Sequence, residues 1–518
     1  MTTRCRANVA SSVEPALSGE DLRAMLKEIQ AVSPPLPLGY LEEQRLLPVR
    51  LQEDQLLLAY AGTPDPQAVA ELEEALGARA VLLEAPEEEL LAAACRVYGG
   101  EPATAADLIA RLRAPDGEEA VGSRGAHDLE RLAGEAPVVR LVNLLLTEAV
   151  QAGASDLHLD ATEAGLAARY RIDGVLQDAP APPAHLRAAV VSRLKIMAEL
   201  DTAERRLPQD GRIRLALEDR ELDVRVSTLP TLHGESVVLR LLDARRQHHS
   251  LETLGMAPDT LRGVRDFSRR PQGVLLATGP TGSGKTTTLY AILEGLATGR
   301  TKIVSVEDPV EYELDYVSQV PVQPAAGLTF ARALRAILRQ DPDILLVGEM
   351  RDPETAGICT QAAMTGHLVF STLHTTDAPA ALTRLLDLGV PDYLVASTVQ
   401  AVLAQRLVRR TCAACAEEAP TPEELRDRMA REGWEVPTIR RGRGCDACRG
   451  TGYHGRTGLY EFLIVDDDVR RAVLRHGGTV DIRRAAGERG LRPLQTDGWR
   501  QVAAGITTPE EVLRVTVA

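Results

Sequence analysis

Nine residues, Gly279–Thr287 (GPTGSGKTT), constrain this 518-residue chain more than any other stretch. An apolar run, Gly273–Thr278 (GVLLAT), precedes them, and the apolar-periodic run Leu289–Leu296 follows. Strand, glycine-rich turn, helix is the order a phosphate-binding loop requires. Gly279, Gly282 and Gly284 let the backbone curl until successive N–H groups converge on one anion. The helix that begins there adds its positive end. Pro280, Thr281, Ser283 and Thr287 complete the turn. Lys285 is expected to reach the β/γ oxygens, and the Thr286 hydroxyl to ligate Mg²⁺. A chance glycine-rich turn would not match so many positions in that setting. These residues imply a nucleoside triphosphate ligand, ATP with Mg²⁺.

From Leu251 to about Leu407 strands and helices alternate, as in a parallel sheet covered on both faces. Strands are expected at Lys302–Glu307, Ile344–Val347 and Leu368–Leu373, with helices at Thr329–Gln340 and Pro353–Thr365. Ligands of such sheets sit outside the carboxyl ends of the strands, so the polar residues there matter most. The strand DILLVGE ends at Gly348 and Glu349. Glycine stands where an aspartate would hold the metal through water, so Glu349 must supply that carboxylate one residue later. The strand KIVSVE runs into Glu307, Asp308, Pro309, Val310 and Glu311. Three acids at one strand end are costly unless a cation or bound water spreads the charge. Glu307 is the candidate general base, and Asp308 a metal or loop-orienting group; a solvated acidic turn is the alternative. His374 follows a strand at the productive end, where it would sense the γ-phosphate or be a satisfied structural histidine. His367, at the other end, reads as a packing or subunit-contact residue. Arg332, Arg335 and Arg339 form one helical stripe. It is either a solvated face or a surface for a neighbouring subunit's phosphates or a pore.

Upstream, residues 137–244 open with the helix VVRLVNLLLTEAVQAGA and continue largely as strands. Leu222–Val226 alternates cleanly, with Asp223 and Arg225 on the polar face. Arg171, Arg212, Arg225 and Arg240 recur on such faces. Exposed strand arginines ordinarily solubilise, but beside a triphosphate domain one or two are expected to serve the phosphates. Arg245–Ser250 (RRQHHS) is a polar hinge into residues 251–408. Residues 1–100 read as a small α/β docking unit. Its expected elements are a helix at Asp21–Ile29, a break at Ser33–Gly39, strands LLPVRL and QLLLAYAG, a helix at Pro66–Leu76, a strand at Arg79–Leu83 and a helix at Pro86–Val97. Residues 101–136 read as a linker with one short helix.

Cys412-x-x-Cys415 and Cys445-x-x-Cys448 are two knuckles 29 residues apart. Four thiolates so paired make a closed tetrahedral Zn²⁺ site, with redox pairs as the alternative. The long gap requires its own helix, expected at Pro422–Glu432. The zinc module spans 409–453, and 454–518 is a small C-terminal helical subdomain with Trp499 in its core. Cys5, Cys95 and Cys359 are scattered and inert.

A net charge of −15 argues against nucleic acid as the partner of the body of the protein. No apolar run approaches the ~18–20 residues that span a bilayer, and the first twenty residues lack a secretory signal's apolar segment. A cytoplasmic protein with no direct membrane span follows, with docking onto a membrane protein left open.

Together these residues resemble the secretion-superfamily ATPases that power type II secretion and type IV pilus assembly. The resemblance runs from about Ala136 to the C-terminus, through ASDLHLD, YRIDG, RLPQDGRI, DVRVSTLPT, GPTGSGKTTTLY, VEDPVEY, RQDPDILLVGEMRD, GHLVFSTLHT and GCDACRGTGYHGRTGLYE. The tetracysteine module resembles assembly rather than retraction ATPases. LPLGYLEEQRLLPVR and the chain length favour the type II secretion branch, with pilus extension as the alternative. The resemblance implies an α/β fold in which a RecA-like P-loop ATPase domain joins an α+β (PAS-like) N2 domain. A small N-terminal α/β domain and a zinc-bound C-terminal subdomain complete it. It implies a homo-hexameric ring with the nucleotide between N2 and RecA-like domains, and arginines at Arg212 and Arg225 approaching the phosphates. The implied partners are an inner-membrane platform protein and the cytoplasmic domain of a membrane-anchored secretion component, so the chain would be peripheral on the inner membrane. A nucleic-acid motor is the rival class, and salt-dependent stimulation by DNA is its discriminator.

Overall fold

The computed structural model describes residues 44–52, 55–87, 104–112, 136–217, 220–243 and 249–516, with positions 41, 90, 93, 94, 131 and 133 between them. The expected helix Asp21–Ile29, the break Ser33–Gly39, Cys5, Cys95 and most of the Arg245–Ser250 hinge lie outside the described residues. So does much of the expected helix Pro86–Val97.

In the N-terminal unit, β1 (Leu46–Gln52) pairs antiparallel with β2 (Gln55–Tyr60), and β3 (Arg79–Glu84) runs parallel to β2. The helix Pro66–Leu76 makes the crossover. Asp65 caps it by accepting the Gln67 amide at 2.9 Å, and Gly77 ends it at φ 66°. Strand alternation splits the apolar side chains: Leu46, Leu56 and Leu58 pack with Leu72, while Leu47, Val49 and Ala59 serve the other face.

Residues 105–112, expected within a linker, form a helix whose Ala105 and Ile109 are buried in the core of the next domain. The Ala105 amide donates to Glu148 Oε1 at 2.6 Å, which fixes the helix to its neighbour Ala136–Gln151. That domain is a six-stranded antiparallel sheet in the order β6-β5-β4-β9-β8-β7. Its strands are β4 (Ala154–Thr162), β5 (Gly165–Ile172), β6 (Val175–Asp178), β7 (Gln209–Leu217), β8 (Arg220–Thr231) and β9 (Gly234–Asp243). Helices Ala136–Gln151 and Arg187–Met197 cover the face bearing Leu157, Leu159, Val224, Val226, Val237 and Leu239, all buried. The opposite face is polar because the side-chain period is two. Register makes one row across it: Arg171 opposes Asp156, Asp156 opposes Arg240, Arg240 opposes Arg225, and Arg225 opposes Arg212.

The main sheet has the order β12-β11-β13-β14-β10-β15-β18. The strands β10 (Gly273–Thr278), β11 (Ile303–Glu307), β12 (Val317–Pro321), β13 (Ile344–Val347), β14 (Leu368–Leu373) and β15 (Val399–Thr411) are parallel. Every residue of β10, β13 and β14 is buried, as expected when helices cover both faces. β18 (Tyr453–Ile464) pairs antiparallel with β15. Residues 454–464, expected to begin a separate subdomain, are thus an edge of the main sheet. Val469, Trp499 and Val512 share one core with Val274 and Val369.

Between the cysteine pairs, β16 (Ala416–Pro420) and β17 (Thr438–Gly442) form a hairpin around the helix Glu423–Arg431. Antiparallel pairing returns the chain beside its start, so 29 intervening residues do not separate the two knuckles. Trp499, fully buried, donates its indole N–H to Glu432 Oε2 at 3.0 Å and ties the C-terminal helices to this module.

Candidate functional site

The phosphate-binding loop sits where β10 meets the helix Lys285–Leu296. That helix has no side-chain cap: Gly284, at φ 86°, occupies the cap position, so the first amides stay free for an anion. A Cβ at Gly284 would lie 2.7 Å from Gln405 Nε2, and one at Gly279 would lie 2.5 Å from Gln405 O. The loop is therefore pressed against β15, and glycine is required by both torsion and space. Ser283 Oγ is buried with no partner, so the loop carries an unused polar group beside its free amides. That donor set fits a polyphosphate.

Lys285 Nζ donates to the carbonyls of Gly279 and Pro280, at 2.8 and 3.0 Å. Burial, then the nearby Arg406, lowers its pKa to about 8, with Glu349 opposing.

Pro280–Thr287 line a cleft of about 870 Å³. Glu307 and Asp308 from the end of β11, Glu349 from the end of β13, and His374 after β14 line it too. The expected strand-end residues thus converge on one space. Glu349 is paired with Arg351 Nε at 2.6 Å and lies 3.7 Å from His374 Nε2. Burial, then Lys285, lowers the His374 pKa, which favours the neutral imidazole. Glu307 is 4% exposed and accepts the hydroxyl of Ser305 at 2.5 Å and that of Tyr290. His367 is remote: its Nδ1 is 2.8 Å from the carbonyl of Ala362 at a helix end. Arg332, Arg335 and Arg339 are exposed and outside the cleft; Arg335 pairs with Glu354.

The far wall comes from the antiparallel domain. Arg171 and Arg240 line the cleft, both paired with the buried Asp156, at 3.6 and 3.0 Å. Of the two arginines expected there, Arg225 lies beyond the lining but reaches across the domain boundary to Glu311 at 3.7 Å. Arg212, the last of the register row, is exposed and outside the cleft. The row is aimed at the ATPase domain from its other end.

Four further arginines line the cleft that sequence reasoning does not single out: Arg351, the partner of Glu349, and three more. Arg406 lies beside Gly279, Arg456 lies on β18 opposite Arg409, and Arg514 belongs to the final described helix; all three line the cleft. The N–H of Gly455 donates to Asp173 at 2.8 Å and Arg456 approaches the same carboxylate at 3.5 Å, so the β5–β6 turn is latched to β18. Glu511 binds both Arg409 and Arg514 at 2.7 Å. Burial alone would raise its pKa, but those guanidinium bonds win and hold it at about 2.

The four expected cysteines meet in a second site. Sγ separations are 3.9 Å for Cys412–Cys445, 3.8 Å for Cys415–Cys448 and 3.7 Å for Cys445–Cys448. Metal–sulfur bonds of ~2.3 Å in a tetrahedron place sulfurs ~3.8 Å apart. The amides of Cys445 and Gly452 each donate to Cys448 Sγ at 3.2 Å, which favours thiolate. The group fits a metal ion, and Cys359 is separate and fully buried.

The profile of the family described as "Type II/IV secretion system protein" matches residues 131–514, and that of the "MshEN domain" matches 17–104. "Type II secretion system protein E" of Xanthomonas campestris is 46% identical, across 96% of this chain and 87% of that protein. The protein of the same name from Pseudomonas aeruginosa is 43% identical, across 96% and 99%. "Type II secretion system ATPase E" of Vibrio cholerae is 47% identical, across 75% of this chain and 77% of that protein. Among solved structures, the Legionella pneumophila ATPase DotB superposes with a TM-score of 0.53 at 19% identity, across 72% of this chain and 94% of that one, and supports the fold. No helix among the described residues is long and apolar enough to cross a membrane. With one family profile spanning cleft, arginine row and cysteine cluster alike, the chain belongs to the type II/IV secretion system protein family.

Proposed function

We propose that this protein is the ATP-hydrolysing motor of type II secretion, in which splitting ATP moves the antiparallel N2 domain against the RecA-like domain. The observation that carries the mechanism is that a free-amide phosphate loop, two strand-end carboxylates and arginines from a second domain line one cleft. Gly279–Thr287 would hold the phosphates, with Lys285 on the β/γ oxygens. Thr286 and Glu349 would hold Mg²⁺, whose charge neutralises the phosphate oxygens when it is bound. Glu307 acts as general base toward water, Asp308 orients the loop, and neutral His374 hydrogen-bonds the γ-phosphate. Arg171 and Arg240, with Arg225 behind them, are the phosphate ligands of the N2 wall; Arg212 is not assigned that role. Exchange of Asp156 and Glu311 for phosphate as partners of these arginines is what couples the nucleotide to domain position.

Zn²⁺ held by Cys412, Cys415, Cys445 and Cys448 would be structural, since four protein ligands leave no open position. The working form is a homo-hexamer, peripheral on the inner membrane through a platform protein and the cytoplasmic part of a membrane-anchored component. The N-terminal domain is the docking unit for the latter. The docked ring would move pseudopilin subunits. Activity is therefore expected to rise with oligomerisation, and full turnover from dilute monomer would exclude a shared clamp. Glu349→Gln tests the catalytic reading: ATP binding should persist while turnover falls by ~10²–10⁴. Turnover near wild type would remove Glu349 from the reaction.

A further inference from the structure

Glu307 is the most constrained carboxylate of the cleft. Its two oxygens are surrounded by three neutral donors, none of which lines the cleft. Ser305 Oγ donates to Oε1 at 2.5 Å, Gln319 Nε2 donates to Oε1 at 3.3 Å, and the Tyr290 hydroxyl donates to Oε2. Tyr290 and Ser305 are fully buried.

The donors are themselves held. Gln319 Oε1 accepts the Leu314 amide at 2.8 Å and its Nε2 donates to the Tyr312 carbonyl at 3.1 Å, which fixes the carboxamide orientation. Ser305 and Gln319 are direct partners in the β11–β12 register. The Tyr312 ring, which lines the cleft, packs edge-on against Tyr290 with centroids 4.6 Å apart. The Tyr290 oxygen also accepts the Glu311 amide at 3.4 Å. Burial, then the charge of Glu307, pushes the phenol well above its ordinary range, so it remains a donor. Apolar packing needs none of this: a phenylalanine would fill the same ring volume.

We propose that Tyr290 is a positioning residue of the ATPase reaction, which with Ser305 and Gln319 aims the Glu307 carboxylate at the attacking water. The inference rests on Glu307 being the general base. Tyr290 lies five residues beyond Lys285 on the helix that starts at the phosphate loop. The lysine and the aim of the base are thus set by one rigid element. A carboxylate held by neutral donors stays an acceptor with a lone pair free for water, and a lost donor lets it rotate.

The test uses the full-length protein and four variants: Tyr290→Phe, Ser305→Ala, Glu307→Gln and the Tyr290→Phe/Glu307→Gln double. Tyr290→Phe is expected to lower kcat roughly 10–100-fold. KM, the Kd for fluorescent ADP and the thermal midpoint should stay near wild type. Ser305→Ala should show the same signature at smaller size and serves if Tyr290→Phe folds poorly. Glu307→Gln should lose more, and the double variant should be no worse than Glu307→Gln alone, because Tyr290 acts only through that carboxylate. Independent, multiplicative losses in the double variant, or a Kd that worsens along with kcat, would assign Tyr290 a merely structural role and overturn the inference. Wild-type kcat in Tyr290→Phe beside an inactive Glu307→Gln would overturn it while leaving the base intact. An active Glu307→Gln would end the general-base reading and the inference together.

Discussion

The phosphate loop brings consecutive backbone amides of a single turn to one side of the cleft, whereas the N2 domain brings guanidinium groups from separate strands to the other. The first wall is local: Pro280–Thr287 are contiguous, and their geometry follows from glycine torsions and the start of one helix. The second is assembled by register, since Arg171, Asp156 and Arg240 are neighbours only because β5, β4 and β9 pair as they do. The walls also differ in charge state. The loop offers unpartnered donors, while the arginines are each engaged with an acid of their own side or, for Arg225, of the opposite domain. A wall of amides binds whenever phosphate arrives. A wall of paired guanidiniums must exchange a carboxylate for a phosphate, and so can report which is present.

The largest effect that separates the walls is expected from Lys285→Ala. Loss of its charge on the β/γ oxygens should lower turnover by ~10³ or more, and wild-type turnover would dissolve the distinction at its root. Next come the arginines. Arg240→Ala and Arg171→Ala should lower kcat by roughly 10–100-fold with ADP affinity retained, because ADP would lie on the amide wall. Arg212→Ala should stay within about twofold, as an exposed residue outside the cleft. A ranking with Arg212 first would show that the arginine row is approached from its other end.

How much of this was visible in the sequence follows the same division. The loop, the strands ending at Glu307, Val347 and Leu373, and the cysteine knuckles are runs of adjacent residues with fixed spacing, and each carries its own physical signature. Arg171 and Arg240 read as polar-face arginines in the sequence, but ranking them above Arg212 needs the strand pairings. The Asp173 latch to Gly455 joins residues 282 positions apart, and Arg514 shares the cleft with a phosphate loop more than 200 positions upstream, so neither leaves a local pattern. β18 is not legible as part of the main sheet, because an antiparallel edge strand after a metal module leaves no local mark of its partner. A short helix is expected within residues 101–136, but its Gly-, Ala-, Pro- and Glu-rich neighbours read as linker and hide that its apolar face is buried in the next domain.

Two smaller effects concern protons. With its pKa lowered to about 8, Lys285 is half-protonated near pH 8 in the free protein, and polyphosphate should restore the proton. ATP binding at pH 8 should therefore take up ~0.5 proton, and less as pH falls toward 6.5. Calorimetry in buffers of different ionisation enthalpy measures this, and proton release would reverse the assigned direction. At the C-terminal end, Glu511 is held below its unfolded value, so its contribution is present above pH ~4.5 and is lost as pH falls toward 2. Glu511→Gln should lower the thermal midpoint at pH 7 by about 2–4 °C. The gap from wild type should close through that acid window. A gap that widens on acidification would contradict the Arg409–Glu511–Arg514 account.

The claim that one triphosphate is gripped by both walls is tested most directly by a structure with Mg²⁺ and a non-hydrolysable ATP analogue. A γ-phosphate is expected within hydrogen-bond distance of Lys285 Nζ and of an arginine from the row, Arg240 or Arg171, with the Asp156 pairing broken. An analogue held by the loop alone, with both arginines still on Asp156, would contradict it.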